Sequence, residues 1–238
     1  NEKHEIDEKK YSFLKIHHGL FENKFDICSI QFALHYMFEN EEKLHNFIKN
    51  VSDMTRVGSY FIGTCYDGKR VYEMFKDKGT DNVELYKNDK KIWGIKKRYN
   101  TTNGSFLENN NESLGFKISV YQESINKEID EFLVNFEYFQ KLMEDYGFVV
   151  DDNFNIKQNM AASVGNFETF YKLFSKNNEA MSSEERQISF LNNYFVFKKI
   201  RNVVVLPYNT LTFANNQEQS LNISKAKKIN LVIKLNEN

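Results

Sequence analysis

The sequence predicts an α/β fold built on a doubly wound sheet, and three stretches carry that prediction. Residues 25–31, Phe-Asp-Ile-Cys-Ser-Ile-Gln, read as a short buried strand with apolar side chains at 25, 27, 28 and 30. Leu44, Phe47, Ile48, Val51 and Met54 then recur at helical spacing and make one apolar stripe. Ser59 to Thr64 gives a second strand-like run. Strand, helix and strand in that order form a β-α-β crossover, which places the two strands parallel. Ligands of such sheets bind just beyond the carboxyl ends of the strands, where Gln31, His35 and Tyr36 fall.

The elements follow in order. Tyr11 to Ile16 is a candidate first strand after a charged start. Asn40 caps the helix that carries the stripe, and Glu41 and Glu42 occupy its first turn, as the helix dipole favours. Gly58 ends that unit. Another helix is expected from Lys69 to Lys78. Residues 80 to 125 change character: Lys91 to Ile95 and Gly115 to Tyr121 look like strands, separated by the Asn- and Gly-rich stretch 100–113, which predicts a β insertion with a surface loop. From Ile129, apolar residues at Phe132, Leu133, Phe136, Leu142, Met143 and Tyr146 predict an amphipathic helix closed by Gly147. Phe148 to Val150 is a strand, Ser182 and Glu185 make a capping box, and Asn193 to Lys198 is a further strand. Val203 to Leu206 and Ile229 to Ile233 are candidate added strands in a carboxyl-terminal extension, residues 201–238.

Composition excludes several classes. The 238 residues are 41% hydrophobic, enough for a core, and carry a net charge of −1, so no global basic field holds a nucleic-acid backbone and any RNA contact must be local. No apolar run approaches the roughly 20 residues that cross a bilayer, and the start has no signal-peptide pattern, so no membrane partner is expected. Two cysteines, Cys28 and Cys65, both in strand contexts, suggest a reducing, intracellular compartment. The neighbouring histidines His17 and His18 point to different sides of any regular element and have no partner at ligand spacing, so no metal is expected.

The stretch Phe25-Asp-Ile-Cys-Ser-Ile-Gln-Phe-Ala-Leu-His-Tyr-Met-Phe38 resembles a segment of the mRNA cap guanine-N7 methyltransferases of eukaryotes and large DNA viruses. Gly63-Thr64 and Asp130-Glu-Phe-Leu-Val134 follow in the family's order, and the likeness runs over about 21–199. It implies a Rossmann-like class I methyltransferase fold over residues 1–200, with S-adenosyl-L-methionine as methyl donor, no metal, and 5′-capped (GpppN) RNA as substrate. The family's Gly-x-Gly turn is not among the ten glycines, so the chain is expected to be a carboxyl-terminal fragment with the amino-terminal half of the fold missing, inactive alone. Triphosphatase and guanylyltransferase modules or a stimulatory subunit are possible partners. The Asn-rich insertion looks more like the viral members, which act in the cytoplasm; a cellular member would act in the nucleus.

By the same resemblance, Gln31 and Tyr36 contact the methyl donor, while His35, Tyr36, Glu131 and Tyr194 surround the guanine. Tyr66 stands where many relatives have Pro, and a Tyr66 contact to the base is expected. Glu131 also makes chemical sense alone: a carboxylate accepts guanine N1–H and N2–H together, which adenine does not offer, and a place in the first turn of a helix would keep it ionised. N7 already has a lone pair, so no general base is needed and catalysis comes from alignment and electrostatics. Two alternatives stand beside this reading: a methyltransferase of the same fold acting on another acceptor, and a non-catalytic methyltransferase-like assembly module.

Overall fold

The computed structural model describes residues 23–100, 105–151, 163–174 and 181–204. The expected strands at 11–16 and 229–233 lie outside them. Strand β1 (Phe25–Gln31) leads through a 3₁₀ turn (Leu34–Glu39) into helix α1 (Glu41–Met54) and strand β2 (Thr55–Tyr66), which pairs parallel with β1. Asn40 caps α1 by accepting from the Lys43 amide at 2.9 Å. The helix ends at Met54. Gly58, expected to terminate it, instead sits inside β2 with φ +88°, beside a slip in register where Phe25 faces Thr55 but Ile27 faces Tyr60.

Helix α2 (Gly68–Lys78) is followed by a four-stranded antiparallel sheet: β3 (Asn82–Lys87), β4 (Lys90–Lys97), β5 (Lys117–Gln122) and β6 (Lys127–Phe132), in that order. Two of these were legible and two were not; β6 replaces the start of the helix expected from Ile129. Helix α3 begins only at Phe136 (Phe136–Asp145), because Asn135 accepts from the amides of Glu137 and Tyr138 and fixes the helix start there. Gly147, at φ +87°, then turns the chain into β7 (Phe148–Val150). Strand β8 (Val164–Asn166), helix α4 (Phe167–Phe174), helix α5 (Ser183–Ser189) and β9 (Asn192–Lys199) complete the described chain. The capping box of Ser182 and Glu185 is formed. Val203 and Val204 lie in no strand, and Val205 and Leu206 fall outside the described residues.

The first sheet runs β1-β2-β9-β7, with β8 also on β9; among the described residues only β1 and β2 are parallel, and β9 runs antiparallel to its neighbours. Its core face is an aromatic row. Cys28, Phe61, Phe197 and Val150 stand opposite one another across four strands, and Ile30, Gly63 and Phe195 form the next row. A Cβ on Gly63 would lie 2.4 Å from both the Ile30 carbonyl and the Phe195 ring, so only glycine fits that crossing. Helices α1 and α3 close over this face through Leu44, Ile48, Val51, Phe139, Leu142 and Met143. On the other face of β1, Ile27 is 60% exposed, against the sequence expectation of a fully buried strand.

A second core lies between α2 and the antiparallel sheet, where Val71 and Phe75 meet Val83, Trp93, Ile95, Ile118 and Val120. Outward-facing charges of that sheet pair across strands, as in Lys117–Asp130 at 2.6 Å and Lys91–Glu84 at 2.7 Å. Those pairs neutralise one another, in keeping with the absence of a broad basic field.

Candidate functional site

The two sheets meet at a cavity of about 590 Å³, well within the range of small-molecule sites. One wall comes from the end of β1 and the turn after it: Phe32, His35 and Tyr36. Phe32 has φ +51°, a strained region for a bulky residue, and is held there by the hydrogen bond its amide N–H donates to the Thr64 carbonyl at 2.8 Å. That reversal swings the chain off the sheet, and Leu34 and Phe38 anchor the 3₁₀ turn in the core with His35 between them. The His35 and Tyr36 rings meet edge to face, 4.2 Å apart.

The opposite wall belongs to the second sheet. Along β6, Glu128 and Asp130 point outward to basic partners, while Ile129 and Glu131 point inward, as the two-residue period of a strand requires. Glu131 faces Ile118 across the β5–β6 pair and is 6% exposed. Trp93 and Gln122, directly opposite each other on β4 and β5, line the cavity with Tyr66 from the end of β2. The Trp93 Nε1–H donates to Tyr66 Oη at 3.0 Å.

His35 Nδ1 stands 3.6 Å from Glu131 Oε2, too far for a hydrogen bond, and neither those atoms nor His35 Nε2 has a hydrogen-bond partner among the described residues. Burial pushes the Glu131 carboxyl up to about 7 and the His35 imidazole down to about 4. At neutral pH the ring is therefore uncharged and the two are not an ion pair. This corrects the sequence expectation for Glu131: it lies on a strand, no helix dipole favours its charge, and desolvation opposes it. Burial likewise raises the Tyr66 hydroxyl to about 12, with the Glu131 charge adding to the effect.

His35, Tyr36, Tyr66 and Glu131 thus share one cavity. Gln31 and Tyr194 do not line it. Both belong to the sheet face turned away from the α1–α3 core, in the row Gln31, Thr64, Tyr194, and the Thr64 hydroxyl donates to Gln31 Oε1 at 2.7 Å. Tyr194 is buried against Phe170, their rings 4.3 Å apart, and crosses β8 at Gly165, where a Cβ would sit 2.4 Å from its hydroxyl. Sequence reasoning missed Phe32, Trp93, Gln122 and Asn192 as lining residues. For Trp93 the signal was available, since a lone Trp alternating with Ile95 marks the inner face of a strand. Among the described residues no group of three or more His, Cys, Asp or Glu is placed to hold a metal.

A parallel pair joined by a helix, its carboxyl ends opening on a cavity and an antiparallel strand beside it, agrees with a Rossmann-like α/β fold. The match to a family model is more specific: residues 8–200 fit the mRNA (guanine-N(7))-methyltransferase domain, and the chain belongs to that family. Among curated relatives, the mRNA cap guanine-N(7) methyltransferase of Candida glabrata is 34% identical over 125 residues, covering 51% of this chain and 29% of the relative. That of Saccharomyces cerevisiae is 33% identical over 128 residues, covering 51% and 28%. The chain therefore spans less than a third of the length of these relatives. A solved S-adenosylmethionine-dependent methyltransferase from Clostridium acetobutylicum overlays with a TM-score of 0.39 at 13% identity, covering 74% of this chain and 58% of that one.

Proposed function

We propose that the cavity holds the terminal guanine of 5′-capped RNA while a methyl group passes from S-adenosyl-L-methionine to N7. The observation that carries this reading is the buried Glu131 Oε2, which has no hydrogen-bond partner among the described residues and faces His35 inside a cavity walled by Tyr36, Tyr66 and Trp93. Guanine N1–H and N2–H would give that carboxylate two donors at once. The methyl donor supplies an electrophilic carbon on sulfur. Gln31, Phe32 and Tyr36, at the carboxyl end of β1, fit one wall of its site: Phe32 and Tyr36 are exposed there, though Gln31 is already tied to Thr64 and Ser29.

The chain's own residues do the rest by holding and excluding. Tyr36 and Phe32 form the open rim, where their rings limit how the purine tilts. Glu131 fixes the base in its plane, and its charge grows in value as alkylation at N7 makes the ring cationic, so it binds the transition state better than the ground state.

Trp93 is the single tryptophan of the sequence and lines the cavity, so its fluorescence reports occupancy. Titration with GpppA should quench it, with ApppA at least about tenfold weaker, and Glu131→Gln should remove the preference. With the whole protein, Glu131→Ala should reduce methylation of capped RNA by about a hundredfold or more. Equal activity of that variant would remove Glu131 from guanine recognition, and with it the observation on which this reading stands.

A further inference from the structure

Tyr66 is 8% exposed, and it lines the cavity together with Trp93 and Gln122. An indole N–H only donates, so the 3.0 Å contact from Trp93 Nε1 to the Tyr66 oxygen has one direction. Gln122 faces Trp93 across β4 and β5 and lines the same cavity. The indole thereby occupies one of the oxygen's lone pairs. The hydroxyl's own proton has no acceptor among the described residues, and the hydroxyl lies on the cavity wall.

The geometry points to Tyr66 as a specificity-determining donor to the exocyclic oxygen of the bound purine, with Trp93 as the positioning residue that turns the hydroxyl proton toward the base. This rests on the guanine reading of the cavity. Guanine's pairing edge presents two N–H groups and then a carbonyl: Glu131 answers the first two, and Tyr66 the third. Adenine puts an amino group at that third place, which gives the hydroxyl proton no acceptor. The same arrangement that rewards guanine therefore penalises adenine.

The test is calorimetric titration of the full chain with GTP and with 6-thioguanosine 5′-triphosphate, which keeps N1–H and N2–H but replaces the carbonyl oxygen by a poor acceptor. Unaltered protein should prefer GTP about tenfold, the scale of one buried hydrogen bond. Tyr66→Phe should lower the preference to about twofold or less, and Trp93→Phe should do the same although Tyr66 is intact. His35→Gln should weaken both nucleotides alike. Each preference is a ratio within one protein, so a loss of stability in a variant does not move it. An unchanged preference in Tyr66→Phe, or its loss in His35→Gln instead, overturns the assignment; an unchanged preference in Trp93→Phe alone removes the positioning role. If the unaltered chain binds GTP and ATP equally and Glu131→Gln changes neither, the guanine reading itself falls and takes this inference with it.

Discussion

Glu131→Gln should stabilise the chain at alkaline pH while removing its guanine site. An unperturbed glutamate titrates near 4.5, and burial lifts Glu131 to about 7. Its folded-state value is raised, so its contribution to stability is fully present below about 4.5 and is lost as pH rises through about 7. At about 1.36 kcal/mol per pH unit between the two values, the ionised carboxylate destabilises the fold by about 3 kcal/mol at pH 8. Glutamine carries no charge to desolvate but must still place an amide, so the net gain at pH 8 should be about 1–3 kcal/mol, shrinking towards zero at pH 4.5. Urea unfolding of both proteins at pH 5 and pH 8, read by Trp93 fluorescence and by circular dichroism, measures it. A stability difference that does not change between the two pH values would refute the burial argument. Such a gain at the expense of binding is the usual sign of a residue kept for function.

Three further outcomes follow from the same geometry. Guanine binding should strengthen about tenfold from pH 6 to pH 8, with a midpoint near 7, because the ionised carboxylate is the form that accepts two N–H bonds; titration with GpppA across that range checks it, and a flat profile would place recognition elsewhere. Gly63→Ala should cost about 3 kcal/mol or more, since the new methyl meets the Ile30 carbonyl and the Phe195 ring at 2.4 Å, and the urea midpoint reports it. Asn135→Ala should lose about 2–3 kcal/mol by thermal or urea unfolding, because one side chain caps α3 and also donates to the carbonyls of Phe106 and Glu108.

Local signals were legible where one neighbour decides the structure. The parallel crossover of β1, α1 and β2 followed from one helical stripe between two apolar runs, and the caps at Asn40 and Ser182 follow from side chains that bond amides within the same turn. The failures lie where tertiary context overrides spacing. From Ile129 to Tyr146 the apolar residues fit a helix, yet 127–132 is a strand, because β5 offers it a ladder and Asn135 delays the helix. The alternation of Glu128, Ile129, Asp130 and Glu131 carried the other answer. At β1 the expected burial failed for Ile27, since which face of a strand is covered depends on elements distant in sequence. His35, Tyr36 and Glu131, named from the family resemblance, line one cavity with Tyr66, which stands where many relatives have Pro; Trp93 and Gln122 escaped because their place depends on the register of an inserted sheet.

The imidazole rides on the turn after β1 and the carboxylate on β6 of the second sheet, so the width of the slot between them is a tertiary dimension. Two backbone rivets set it: the Gly68 amide on the Val134 carbonyl at 3.0 Å, and the Gly115 amide on the Phe38 carbonyl at 3.0 Å. A Cβ on Gly68 would strike the Val134 backbone within 2.7 Å and prise that seam apart. Substitutions along the seam, none of them touching a base, therefore act like the screw of a calliper, resizing the gap that a purine must fill.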